Sequence, residues 1–104
     1  MPTYVCYVHP EKVTAAAKAV IAMGIAQIHH QFTGAPIAFT QVVFRDLGPD
    51  EHFIGGQPAN GVWVYGHIRA ERTTPARNHV MVGIRDLLTL VLEIPESLVW
   101  VYLN

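Results

Sequence analysis

Met1-Pro2-Thr3-Tyr4-Val5-Cys6-Tyr7-Val8 opens the chain. Residues 3 to 8 form a nearly continuous apolar run, the pattern of a strand covered on both faces. Proline is tolerated as the first residue of a strand, so Pro2 fits that position on structural grounds alone. It also follows the initiator methionine directly. Removal of Met1 would leave Pro2 with a free secondary amine on a rigid ring. A free α-amine titrates at about 7.7 to 8.0, so burial or nearby charge can bring it to the working pH. General acid–base catalysis uses groups of that kind.

His9-Pro10 ends the strand. Thr14 is a helix N-cap, followed by Ala15, Ala16, Ala17 and Lys18, all compatible with a first helical turn. Val20, Gly24 and Ile28, with Ile21, Ile25 and Phe32, recur at helical spacing. This predicts an amphipathic helix to about His30 or Phe32, stopped by Gly34. Residues 38 to 45 read as a second strand. Residues 46 to 61 are turn chemistry, with Gly48-Pro49-Asp50, Gly55-Gly56 and Asn60-Gly61, and His52-Phe53-Ile54 as a short strand within them. Residues 62 to 69 form a third long strand. Thr74 then caps a second helix with Pro75 at its first position. Val80, Ile84, Leu87, Leu88 and Val91 form its apolar face. Residues 98 to 103 are the last strand.

The order is β-α-β, loop, β-α-β, with Thr14 and Thr74 in matching places. This predicts one α/β (α+β) domain over 1–104, with pseudo-repeats at about 2–45 and 62–103. Each β-α-β unit brings two parallel strands together through a right-handed crossover. Two units give a four-stranded mixed sheet with both helices on one face. The other face is apolar as well, and a homo-oligomer is its simplest cover.

The composition narrows the function. The 104 residues are 51% hydrophobic and 14% charged, with net charge −1. That balance gives no support to nucleic acid as a partner. No apolar run is long enough to span a bilayer, and no signal-peptide pattern precedes the first strand, so a cytoplasmic protein is expected. Cys6 is the one cysteine and reads as a buried structural thiol. The six histidines show no metal-ligand spacing. There is no P-loop or dinucleotide fingerprint, so no cofactor or metal is expected.

Four further residues can carry chemistry. Arg69 and Arg72 lie where the third strand gives way to the second helix. Two guanidinium groups there could clamp a carboxylate; a solvated turn neutralised by Glu71 is the alternative. His29, at the edge of the first helix's buried stripe, is either a hydrogen-bonded core residue or faces a pocket at the sheet end. Tyr102 could offer a phenol, although most strand tyrosines only pack. Arg77 and Arg85 read as the exposed side of a helix.

Pro-Thr-Tyr at 2–4, Ile-His-His at 28–30 with Thr33-Gly34, Phe53-Ile54-Gly55-Gly56, His67-Ile68-Arg69-Ala70-Glu71-Arg72 and Trp100-Val101-Tyr102 occur in an order and spacing that resemble the tautomerase superfamily. The nearest likeness is its cis-3-chloroacrylic acid dehalogenase group. The resemblance runs over essentially the whole chain. It implies Pro2 as catalytic amine, His29 and Tyr102 as catalytic partners, and Arg69 and Arg72 as binders of a small carboxylate substrate. It implies a homotrimer, with Tyr102 contributed by a neighbouring subunit. It also implies keto–enol tautomerisation, with dehalogenation or hydration of a cis-3-haloacrylate, or β-keto acid decarboxylation, as alternative chemistries. A non-catalytic trimeric binding protein is the alternative from another class. The dehalogenase group carries a water-activating glutamate in a C-terminal extension. Glu93 and Glu96 precede the last strand and do not match it, so tautomerisation is the expectation.

Overall fold

The computed structural model describes residues 2–69 and 72–104. Met1, whose removal would free the Pro2 amine expected from the sequence, and Glu71, the expected neutraliser of the arginines, lie outside the described residues. Strand β1 (Thr3–Val8) is central. Helix α1 (Ala15–Thr33) follows it, then β2 (Gln41–Asp46), which pairs parallel to β1. A small hairpin of β3 (Phe53–Ile54) and β4 (Gln57–Pro58) interrupts the chain. Strand β5 (Val62–His67), helix α2 (Thr74–Leu92) and β6 (Val99–Leu103) repeat the first unit. The sheet order is β2-β1-β5-β6, with β1 and β5 antiparallel at its centre. Two parallel units joined antiparallel make the mixed sheet the sequence predicts.

The core lies between the helices and one face of the sheet. Tyr4, Cys6 and Val8 alternate into it from β1, and Val62 and Val64 from β5. Ile21 and Ile25 of α1 meet them, as do Val80, Ile84 and Leu88 of α2. Burial pushes the Cys6 thiol up to about 12, so it stays protonated and serves as a small apolar side chain.

The predicted cover on both faces of β1 is not present within one chain. Val5 and Tyr7 point away from the helices and are half-buried, beside Val43, Trp63, Tyr65 and Trp100. Val20 also departs from expectation: it is 54% exposed. The buried stripe of α1 runs through Ile21, Ile25, Ala26 and His29, one residue further round the helix.

Strand β5 ends at His67, short of the predicted residue 69, and two other boundaries move for local reasons. Thr73, not Thr74, caps α2, its hydroxyl accepting from Ala76 N at 3.2 Å. Pro75 is then the second helical residue, where its missing N–H still belongs to the unpaired first turn. Strand β2 starts at Gln41 because Ile37–Phe39 form a 3₁₀ turn after Pro36, as Glu96–Leu98 do after Pro95. The two halves therefore keep one offset: 73 − 14 and 95 − 36 both equal 59. In the hairpin, Gly55 and Gly56 take φ of 58° and 78°, the two left-handed residues that a tight two-residue turn needs.

Candidate active site

The site is built where β1 begins and β5 ends. Pro2 is buried, and its carbonyl accepts from Gln41 N at 2.9 Å, tying the chain start to β2. Thr3 is in register with His67. Continuing that ladder sets Pro2 beside Ile68, one residue before Arg69. Strand alternation puts Pro2 and Tyr4 on the same, helix-facing side.

Tyr4 is fully buried, and its hydroxyl lies 2.7 Å from His29 Nδ1. The rings meet edge to face, with centroids 5.7 Å apart. Gly66, opposite Tyr4 on β5, makes room for this ring. A Cβ there would fall 2.7 Å from Tyr4 Cε1. Burial raises the Tyr4 phenol well above the ordinary tyrosine range, and the nearby Arg77 guanidinium only partly opposes it.

His29 is 1% exposed. Within one chain it is a buried imidazole, hydrogen-bonded to Tyr4. Burial lowers its pKa from 6.5, and the Arg72 charge lowers it further. The ring is neutral near neutral pH.

Arg72 reaches from the turn before α2 to the end of α1. Its Nη1 donates to Thr33 O at 2.9 Å, a carbonyl at the negative end of the helix dipole. Its Nε is buried with no hydrogen-bond partner among the described residues. Arg69 is exposed, and its carbonyl accepts from Arg72 N at 3.2 Å. The same carbonyl accepts from Arg77 Nη1 at 3.3 Å. Arg77 therefore does not simply face solvent as predicted; it is half-buried and braces the turn that carries both candidate arginines.

Tyr102 does not join this group within one chain. Its register row is Val5, Tyr65, Tyr102, three residues along and two strands across from Pro2. At about 3.3 Å per residue and about 4.8 Å per strand, the two Cα atoms are about 14 Å apart. Tyr102 is 47% exposed on the opposite face of the sheet. It lines a groove of about 340 Å³ with His52, Phe53, Ile54, Trp63 and Trp100. Trp63 stacks on Tyr7 and meets Tyr102 edge-on. Its indole nitrogen is buried without a partner among the described residues.

The other histidines have different neighbours. His9 Nε2 and His52 Nδ1 lie 3.1 Å apart, His30 Nδ1 lies 2.8 Å from Ala35 O, and His79 stacks on Phe32. Among the described residues, no three of His, Cys, Asp and Glu gather as metal ligands. No helix among them is long and apolar enough to cross a membrane.

Residues 1–102 match the Tautomerase_3 family model, described as "Putative oxalocrotonate tautomerase enzyme". The chain belongs to the tautomerase superfamily. Solved structures agree with this assignment. N1, a member of the cis-3-chloroacrylic acid dehalogenase family, is 29% identical with a TM-score of 0.95, covering 98% of this chain and 73% of that one. Native Ps01740 is 28% identical with a TM-score of 0.94, covering 98% and 91%. A fused 4-OT described as an asymmetric trimer shares the fold at 19% identity and a TM-score of 0.90, covering 98% and 84%. A search of curated proteins finds no match. Within this tautomerase-like fold, sequence reasoning missed Tyr4 and Arg77. The available signal for Tyr4 was its i+2 spacing from Pro2.

Proposed function

We propose that this tautomerase-superfamily chain catalyses keto–enol tautomerisation of a small carboxylic acid, with Pro2 as the proton carrier once Met1 is removed. The observation that carries the reading is Arg72. Its guanidinium is anchored by Thr33 O while its Nε is a buried donor without a partner among the described residues. A charged, fixed donor suits a carboxylate. Arg69, on the same turn, supplies the second positive charge. The neutral Pro2 nitrogen takes the proton from an enol hydroxyl. The O–H pair becomes the carbonyl π bond, and the former C=C pair takes a proton from the prolinium at carbon. His29 and Tyr102 orient the substrate.

Tyr102 reaches the site from a second copy in a homotrimer. The aromatic open face and the unpartnered Trp63 indole support this arrangement. The likeness to N1 favours a second reading, dehalogenation of a cis-3-haloacrylate.

Parallel assays on Met-free protein separate the two. One follows ketonisation of an aryl enolpyruvate by ultraviolet absorbance, and the other follows halide release from cis-3-chloroacrylate. Fast ketonisation with slow halide release is expected. The reverse order supports dehalogenation, and failure of both supports a non-catalytic trimer.

A further inference from the structure

We propose that Tyr4 is a positioning residue that sets the tautomer of His29, leaving that imidazole as an Nε2–H donor rather than a base. Two fully or nearly fully buried side chains face each other here, with 2.7 Å between the Tyr4 hydroxyl and His29 Nδ1. Each could in principle donate. If Nδ1 carried the proton, it would donate to the phenol oxygen, and the phenol O–H would need another acceptor. Among the described residues Tyr4 has no other hydrogen-bond partner. Its ring belongs to a buried apolar cluster that includes Cys6, Val64 and Ile25. A buried hydroxyl without an acceptor is the costlier arrangement. The phenol therefore donates, Nδ1 accepts, and the single imidazole proton sits on Nε2.

Charge supports the same assignment. Among the described residues, the charges that act on the pair are Arg72, on His29, and Arg77, on Tyr4. Both are cations and oppose an imidazolium. A neutral Nε2–H imidazole with its lone pair already engaged cannot accept a proton without breaking the Tyr4 bond. Its remaining function is to donate one hydrogen bond.

Gly66 is part of the device, since a side chain there would displace the Tyr4 ring.

The catalytic consequence rests on the Pro2 reading, but the tautomer does not. The test is imidazole ¹⁵N NMR of the full-length wild type and Tyr4→Phe, near neutral pH, with the His29 signals assigned by their loss in His29→Gln. Wild type should show an unprotonated Nδ1 and a protonated Nε2. Tyr4→Phe keeps the ring and should move the signals toward a mixture of both tautomers. A wild-type proton on Nδ1, or an unchanged spectrum in Tyr4→Phe, overturns the proposal. In turnover of an aryl enolpyruvate, Tyr4→Phe should lower kcat about tenfold with KM within about twofold, the size expected for one lost orienting hydrogen bond. An unchanged kcat overturns the positioning role. If wild type turns over no acid, the Pro2 reading falls, while the imidazole spectrum still decides the Tyr4–His29 assignment.

Discussion

Gly66→Ala puts the packing at the sheet end under direct strain. The added Cβ would fall 2.6 Å from Leu103 Cδ2, 2.7 Å from Tyr4 Cε1 and 2.8 Å from Tyr4 Cδ1. Leu103 can change rotamer. The Tyr4 ring cannot turn away without leaving His29, because its hydroxyl is held at 2.7 Å. Overpacking of this kind costs about 1–3 kcal/mol. Loss of the buried hydrogen bond adds about 1 kcal/mol. The sum, about 2–4 kcal/mol, lowers Tm by roughly 10–20 °C for a chain of this length. The assay is a thermal melt at one fixed protein concentration, since assembly would make Tm concentration-dependent. The Tyr4 ring environment should change in near-ultraviolet circular dichroism at the same time. A melt within about 2 °C of wild type, with an unchanged spectrum, would refute the claim that Gly66 exists to admit Tyr4.

Other outcomes follow from the same geometry. Thr73→Ala should cost about 1 kcal/mol in thermal or denaturant unfolding, and Thr74→Ala much less, because only Thr73 caps α2. Arg72→Met should lower kcat/KM for a carboxylate substrate by about 10- to 100-fold, mainly through KM, as loss of a charged hydrogen bond predicts; an unaffected KM would remove Arg72 from substrate binding. Acidification should destabilise the fold. His29 and His52 both have pKa values lowered in the folded state, so the unfolded chain binds more protons just below about 6.5, and stability falls from there down to the folded values. A Tm that is flat or rises on acidification through that window would contradict the buried, neutral state of His29.

The elements were legible because their punctuation is local. Thr14 and Gly34 bound α1 as read, and Gly55-Gly56 turns the hairpin. The cap of α2 was misplaced by one residue because Thr73 and Thr74 are chemically equivalent signals, and only the hydrogen bond to Ala76 N separates them. The start of β2 was misread because Ala38 and Phe39 suit a strand, whereas the 3₁₀ turn after Pro36 depends on chain direction.

The candidate site was partly legible. Arg69 and Arg72 were readable from their place after a strand, but their bracing by Arg77 and Thr33 is tertiary. Tyr4 looked like any strand tyrosine, since its partner lies 25 residues away on a helix. Tyr102 shows the opposite case. The resemblance assigns it to the site, and in one chain it lies on the far face of the sheet.

The proposed reaction stands on a free Pro2 amine that moves the proton. The direct measurement compares kcat/KM for aryl enolpyruvate ketonisation between wild type, shown by intact mass to lack Met1, and Pro2→Ala, shown the same way to lack it. Alanine keeps an α-amine but not the rigid ring, so residual activity is expected, about a hundredfold below wild type. Equal rates in the two proteins would contradict the account.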